Sequence, residues 1–85
     1  MNTFMSKFEL YSEVQLSKDL PELGFIKGDV ATIVEISVNS KGETGYCLEF
    51  FDNHGRTLDV VVVGETFIQH PLEHGVVHYR TYSHS

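Results

Sequence analysis

The chain has 85 residues, room for one domain around one core, and 41% hydrophobic with 21% charged residues argues for a globular fold and against disorder. Twelve acidic residues against six basic ones give a formal net charge of −6. Nucleic-acid affinity comes mostly from Lys and Arg neutralising phosphates, and Lys7, Lys18, Lys27, Lys41, Arg56 and Arg80 are scattered, so DNA or RNA binding is disfavoured and a neutral or basic protein partner favoured.

In chain order, Phe8 to Leu16 alternates loosely, with Phe8, Leu10, Val14 and Leu16 as candidate inward residues of a first strand. Pro21 and Gly24 forbid its continuation and predict an irregular, folded-back loop over 17–24. Lys27-Gly28-Asp29 reads as a tight turn. It leads into Val30 to Val38, β-branched at almost every second position and therefore a strand. A polar connector over 39–45 precedes Tyr46 to Phe51, with Tyr46, Leu48 and Phe50 on one face. Asp52-Asn53-His54-Gly55-Arg56 predicts a hairpin in which Gly supplies the left-handed position, and Thr57 to Val63 is the returning strand. Phe67 and Ile68 form a short turn packing under the barrel.

Four or five short strands with a long loop after the first outline an all-β, partly open antiparallel barrel over residues 8–70, with 71–85 as a tail or an added edge strand. The expected core is Val14, Leu16, Val30, Val34, Ile36, Leu48, Phe50, Leu58, Val60 and Val62. Ala31 and Ile33 fall on the face opposite Val30 and Val34. Either that face is half-buried or a bulge shifts the register, and both remain open.

The longest apolar run, Val60 to Val63, is far short of the roughly 20 residues that span a bilayer. The first residues lack the basic start and apolar stretch of a secretory signal. Cys47 has no second thiol to pair with. These features lead us to expect a cytoplasmic protein with no membrane contact, no metal and no cofactor.

The segments Asp19-Leu20-Pro21-Glu22, Gly24 to Asp29 and Ala31 to Glu35 resemble a bacterial domain-of-unknown-function family, numbered 4926, of small SH3-like barrels. Tyr46, Leu48-Glu49-Phe50 and the turn from Asp52 to Thr57 extend the likeness, which covers roughly Phe8 to Val63. The resemblance implies an SH3-like barrel without assigned catalytic residues. Some members are encoded beside toxin-like partners, which makes an antitoxin or immunity role plausible. Gly28-Asp29-Val30-Ala31 is also similar to the opening of other SH3-like strands, such as those of the KOW type.

The most specific site inference is a row of carboxylates. If Asp52 faces Arg56 across the hairpin, counting back places Glu49 opposite Asp59. If Gly42 centres the preceding connector, Glu35 falls opposite Glu49. Glu35, Glu49 and Asp59 then lie side by side on the outward face. Opposed like charges cost up to about 1 kcal/mol, so a basic partner that neutralises them would explain their retention. The plainer explanation is that they are ordinary solvated positions of alternating strands. A catalytic acid–base pair needs a pocket that splits two pKa values, which a convex sheet face does not offer, so no enzyme is expected.

His70, His74 and His78 are spaced by four, but Pro71 and Gly75 interrupt any helix that would align them, and a solvated tail is favoured over a metal site. Carboxylates near Cys47 disfavour its thiolate and hence a nucleophilic role. The aromatics read as packing residues, since no basic residues interleave them for base stacking.

Two functions are carried forward. One is an acidic, non-catalytic protein-binding module that sequesters a basic bacterial partner through Glu35, Glu49 and Asp59. The other is an accessory SH3-like subunit of an enzyme or ribonucleoprotein assembly, docking through Leu20, Leu23, Phe25 and Ile26. The stretch His74 to Tyr82 alternates, so a homo-oligomer through this C-terminal strand is a further expectation.

Overall fold

A computed structural model of the chain describes residues 6–71. Five antiparallel strands form one curled sheet in the order β4-β3-β2-β1-β5, with β1 at Glu13–Leu16, β2 at Val30–Val38, β3 at Thr44–Phe51, β4 at Thr57–Gly64 and β5 at Ile68–Gln69. Two 3₁₀ turns, Pro21–Leu23 and Glu65–Phe67, are the only helical elements among the described residues. The expected all-β, partly open SH3-like barrel is thus the fold. Residues 72–85, and with them the expected tail or edge strand, His74 and His78, lie outside the described residues.

The core forms on the concave side of the sheet. Tyr46, Leu48 and Phe50 are fully buried, as their shared face predicts, together with Val14, Leu16, Ile33, Ala31, Phe8 and Ile68. Phe8 meets the Tyr46 ring edge-on at 5.5 Å. The Tyr46 hydroxyl accepts a hydrogen bond from the Lys7 N–H (3.0 Å), which ties the N-terminal segment across the barrel floor. His70 also packs against Phe8, 4.6 Å between ring centres.

Three expectations about the strands are corrected. The first strand is shorter than Phe8–Leu16, because Tyr11 adopts a left-handed backbone (φ 66°) and bulges. Its N–H and the Ser12 carbonyl both bond Ile33, at 2.7 and 3.0 Å, which leaves Leu10 45% exposed. In β2, Ala31 and Ile33 point inward, and the open question of register is answered by a bulge between Ile33 and Glu35 that leaves Val34 only half-buried. In β4, the expected core residues Val60 and Val62 are 49% and 66% exposed, whereas Val61 and Val63 pack against the core. A second bulge, between Phe50 and Phe51 in the β3–β4 ladder, causes this. Phe51 pairs Thr57 but Phe50 pairs Asp59, so Leu58 is the extra residue and every later rung is shifted by one.

The hairpin from Asp52 to Arg56 closes as the sequence predicts, the Asp52 N–H donating to the Arg56 carbonyl (2.8 Å) with Gly55 at φ 80°. The Asp52 carboxylate holds the turn. Its Oδ1 accepts from the His54 and Arg56 N–H groups (2.8 and 2.9 Å), and Oδ2 lies 3.4 Å from the Arg56 guanidinium. These contacts, led by the Arg56 N–H, lower its pKa below the usual aspartate value. A carboxylate with a lowered folded-state pKa stabilises the fold above its unfolded pKa of about 3.9 and loses that contribution as pH falls through the folded value. Asp52→Asn is therefore expected to melt lower than the wild type at pH 7. The difference should shrink in thermal melts as pH drops below about 4, and a constant gap across that window would contradict this role.

Candidate partner-binding surface

The pairing register arranges the convex face of the sheet in rungs. One rung runs Glu13, Thr32, Glu49, Val60 across β1 to β4; the next runs Glu35, Cys47, Val62 across β2 to β4. Residues directly opposed in an antiparallel pair share a face at about 5 Å, so Glu35 and Glu49 flank Cys47, and the two valines continue the surface to the edge of the sheet. Glu35 is exposed and Glu49 half-buried. The Thr57 hydroxyl donates to the Glu49 carboxylate and fixes it beside Val60. Neither Glu35 nor Glu49 forms an ion pair among the described residues.

The expected three-carboxylate row is corrected in two respects. Glu35 opposes Cys47 rather than Glu49. This is a shift of two residues, which preserves the face, so the two glutamates remain diagonal neighbours. Asp59 does leave the row. The Leu58 bulge puts it opposite Phe50, and its carboxylate accepts the Val60 N–H (2.8 Å). The same bulge brings Val60 and Val62 to the outer face. Four consecutive valines carry no alternation, so nothing local in the sequence marked which pair would be wet.

Both ends of this face are indented. Glu13, Thr32, Phe51, Asp52, Asn53 and Gly55 line a groove of about 530 Å³ by the β3–β4 hairpin. At the other end Gly45 leaves a notch between Ser37 and Val62; a Cβ placed on it would stand 3.2 Å from the Ser37 hydroxyl and from a Val62 methyl.

Cys47 is half-buried in the middle, and burial first, then Glu35 and Glu49, push its thiol above the ordinary range. A protonated thiol is a poor nucleophile. Alkylation by iodoacetamide at pH 8 is expected to run several-fold slower than for a free cysteine and to speed up in Glu35→Gln. Equal rates for protein and free thiol would refute the assignment.

The loop between β1 and β2 divides the second group of candidates. Leu23 and Ile26 are 45% and 48% exposed. Phe25, expected as a docking residue, is instead buried, its ring stacked on Phe50 with centres 3.9 Å apart. The chain folds back there because Leu20 and Phe25 bridge across the 3₁₀ turn. The Asp29 carboxylate caps the Ile26 N–H (2.9 Å). Leu20 is half-buried and packs against the core.

Among the described residues no group of three His, Cys, Asp or Glu is placed to hold a metal ion, and no helix is long and apolar enough to cross a membrane. No curated protein and no solved structure matches the chain. The family described as Domain of unknown function (DUF4926) matches residues 10–70, a span that takes in all five strands, and the chain belongs to that family.

Proposed function

We propose that the chain is a non-catalytic protein-binding module of the bacterial cytoplasm that holds a basic partner against the convex face of β2, β3 and β4. One observation carries this reading: Val60 and Val62, large apolar residues exposed to water, stand beside Glu35 and Glu49 on a chain with a net charge of −6. Apolar contact supplies affinity, while the carboxylates select a cationic partner and speed its approach. The two carboxylates lie on an open sheet face, where charge recognition suits them better than acid–base catalysis. Stoichiometric sequestration, as by an antitoxin or immunity protein, is the role such a face would serve.

A second reading, docking as an accessory subunit of a larger assembly through Leu23 and Ile26, draws on the exposure of those two side chains on one loop. Photo-crosslinking in an extract of the native cell, at low and at high salt, separates the two. A crosslinker at position 62 is expected to capture a basic protein, with a yield that falls in high salt and in Glu35→Lys/Glu49→Lys. Capture from position 23 but not from 62 would favour the second reading, and salt-independent capture from 62 would remove the basic partner.

A further inference from the structure

We propose that the outer edge of β4 takes up one extended segment of the basic partner as an added antiparallel strand, with Lys or Arg opposite Val60 and an apolar residue opposite Val62. The inference rests on the protein-binding reading above and specifies how that partner is held.

The direction of every backbone group in β4 follows from the ladder. Ile33 spends its N–H and C=O on Ser12 and Tyr11, on the β1 side. Backbone groups alternate in direction along a strand, so Thr32 faces β3 and pairs Glu49 through hydrogen bonds. Glu49 therefore faces β2, and Leu48 faces β4 and its partner Val61. The closing pair Asp52–Arg56 has the same parity, which checks the count from the other end. Val61 and Val63 thus bond inward to β3, and Val60 and Val62 direct their N–H and C=O away from the sheet. Among the described residues no strand pairs with that edge.

An unpaired apolar edge is a template for another chain. Here the Val60 N–H is occupied by the Asp59 carboxylate (2.8 Å), a local contact that an incoming carbonyl can replace. The occupant's chemistry follows from the rungs. A residue added opposite Val60 stands two strand spacings, about 10 Å, from the Glu49 backbone. Lys and Arg have stems that lie across a valine while the cation reaches the carboxylate beyond it. Opposite Val62 the next neighbour inward is Cys47, so an apolar side chain fits.

The test uses the full-length protein and a capped eight-residue peptide with Lys and Val alternating on one face and Thr between them. Binding is expected, at least ten-fold weaker when the Lys and Val nitrogens are methylated or in Val62→Pro, and unchanged when the Thr nitrogens are methylated. Glu49→Gln should weaken binding and flatten its salt dependence. No binding, equal binding of a same-composition peptide with its lysines in one block, or indifference to the site of methylation overturns strand addition. The basic-partner reading stands or falls separately, on the salt dependence and glutamate variants of the crosslinking above. A free protein that is a dimer split by Val62→Pro would assign the edge to a second copy. A monomer whose Val62 amide resists hydrogen exchange would assign it to the chain's own segment. Either result overturns the proposal.

Discussion

Phe25→Ala is expected to destabilise the fold almost as much as Phe50→Ala, by about 3–5 kcal/mol each, although only Phe50 lies on a strand. Both rings are buried, Phe50 completely, and they stack nearly parallel at 13° between planes. A domain this small sits near the low end of the usual stability range of about 5–15 kcal/mol, so either truncation leaves a large unfolded fraction at room temperature. Offset aromatic pairs contribute about 0.5–1.5 kcal/mol beyond their burial, and the double variant should fall short of additivity by a similar amount. Leu23→Ala, two residues away on the same loop and exposed, is expected to stay within about 0.5 kcal/mol of the wild type. Urea titrations followed by far-ultraviolet circular dichroism read the four variants against the wild type. A Phe25→Ala variant as silent as Leu23→Ala would return Phe25 to the surface and to the list of docking residues.

That contrast marks where the sequence stops being readable. The loop's reversal was legible, because Pro21 and Gly24 leave the backbone few alternatives. Which of Leu23, Phe25 and Ile26 turns inward depends on Phe50, 25 residues downstream in sequence, and no local pattern encodes that contact. β2 shows the same limit on a smaller scale. Its bounds at Val30 and Val38 follow from β-branched residues, but the clash between Ala31-Ile33 and Val30-Val34 is met equally by a half-buried face or by a bulge, and only the pairing with β3 decides for the bulge. β4 carried no such clash. Leu58 is an unremarkable strand residue, yet as the extra residue of a bulge it exchanges the faces of Asp59, Val60, Val61 and Val62. The candidate site inherited this error directly. Glu35 and Glu49 survived because a two-residue shift returns a side chain to its own face, whereas the one-residue slip removed Asp59.

Proline substitution tests the register of β4, and the two most informative positions are neighbours. Val61→Pro removes an N–H that bonds inward to Leu48 and strands the Leu48 carbonyl, at a cost of about 1–3 kcal/mol. Drawing the half-buried Val61 side chain off the core costs about 1 kcal/mol more, enough to melt the protein many degrees early. Val62→Pro removes an N–H that faces away from the sheet, the one setting in which strands accept proline. It is expected to lose less than about 1 kcal/mol. The order of the two melting temperatures therefore reads out which groups bond β3. If the Leu58 bulge were absent, the register would slip by one residue and the order would invert, with Val62→Pro the unfolding variant. In that case Glu49 would face Asp59 after all, the valines at 60 and 62 would turn to the core, and the edge groups available to a partner strand would belong to Val61 and Val63.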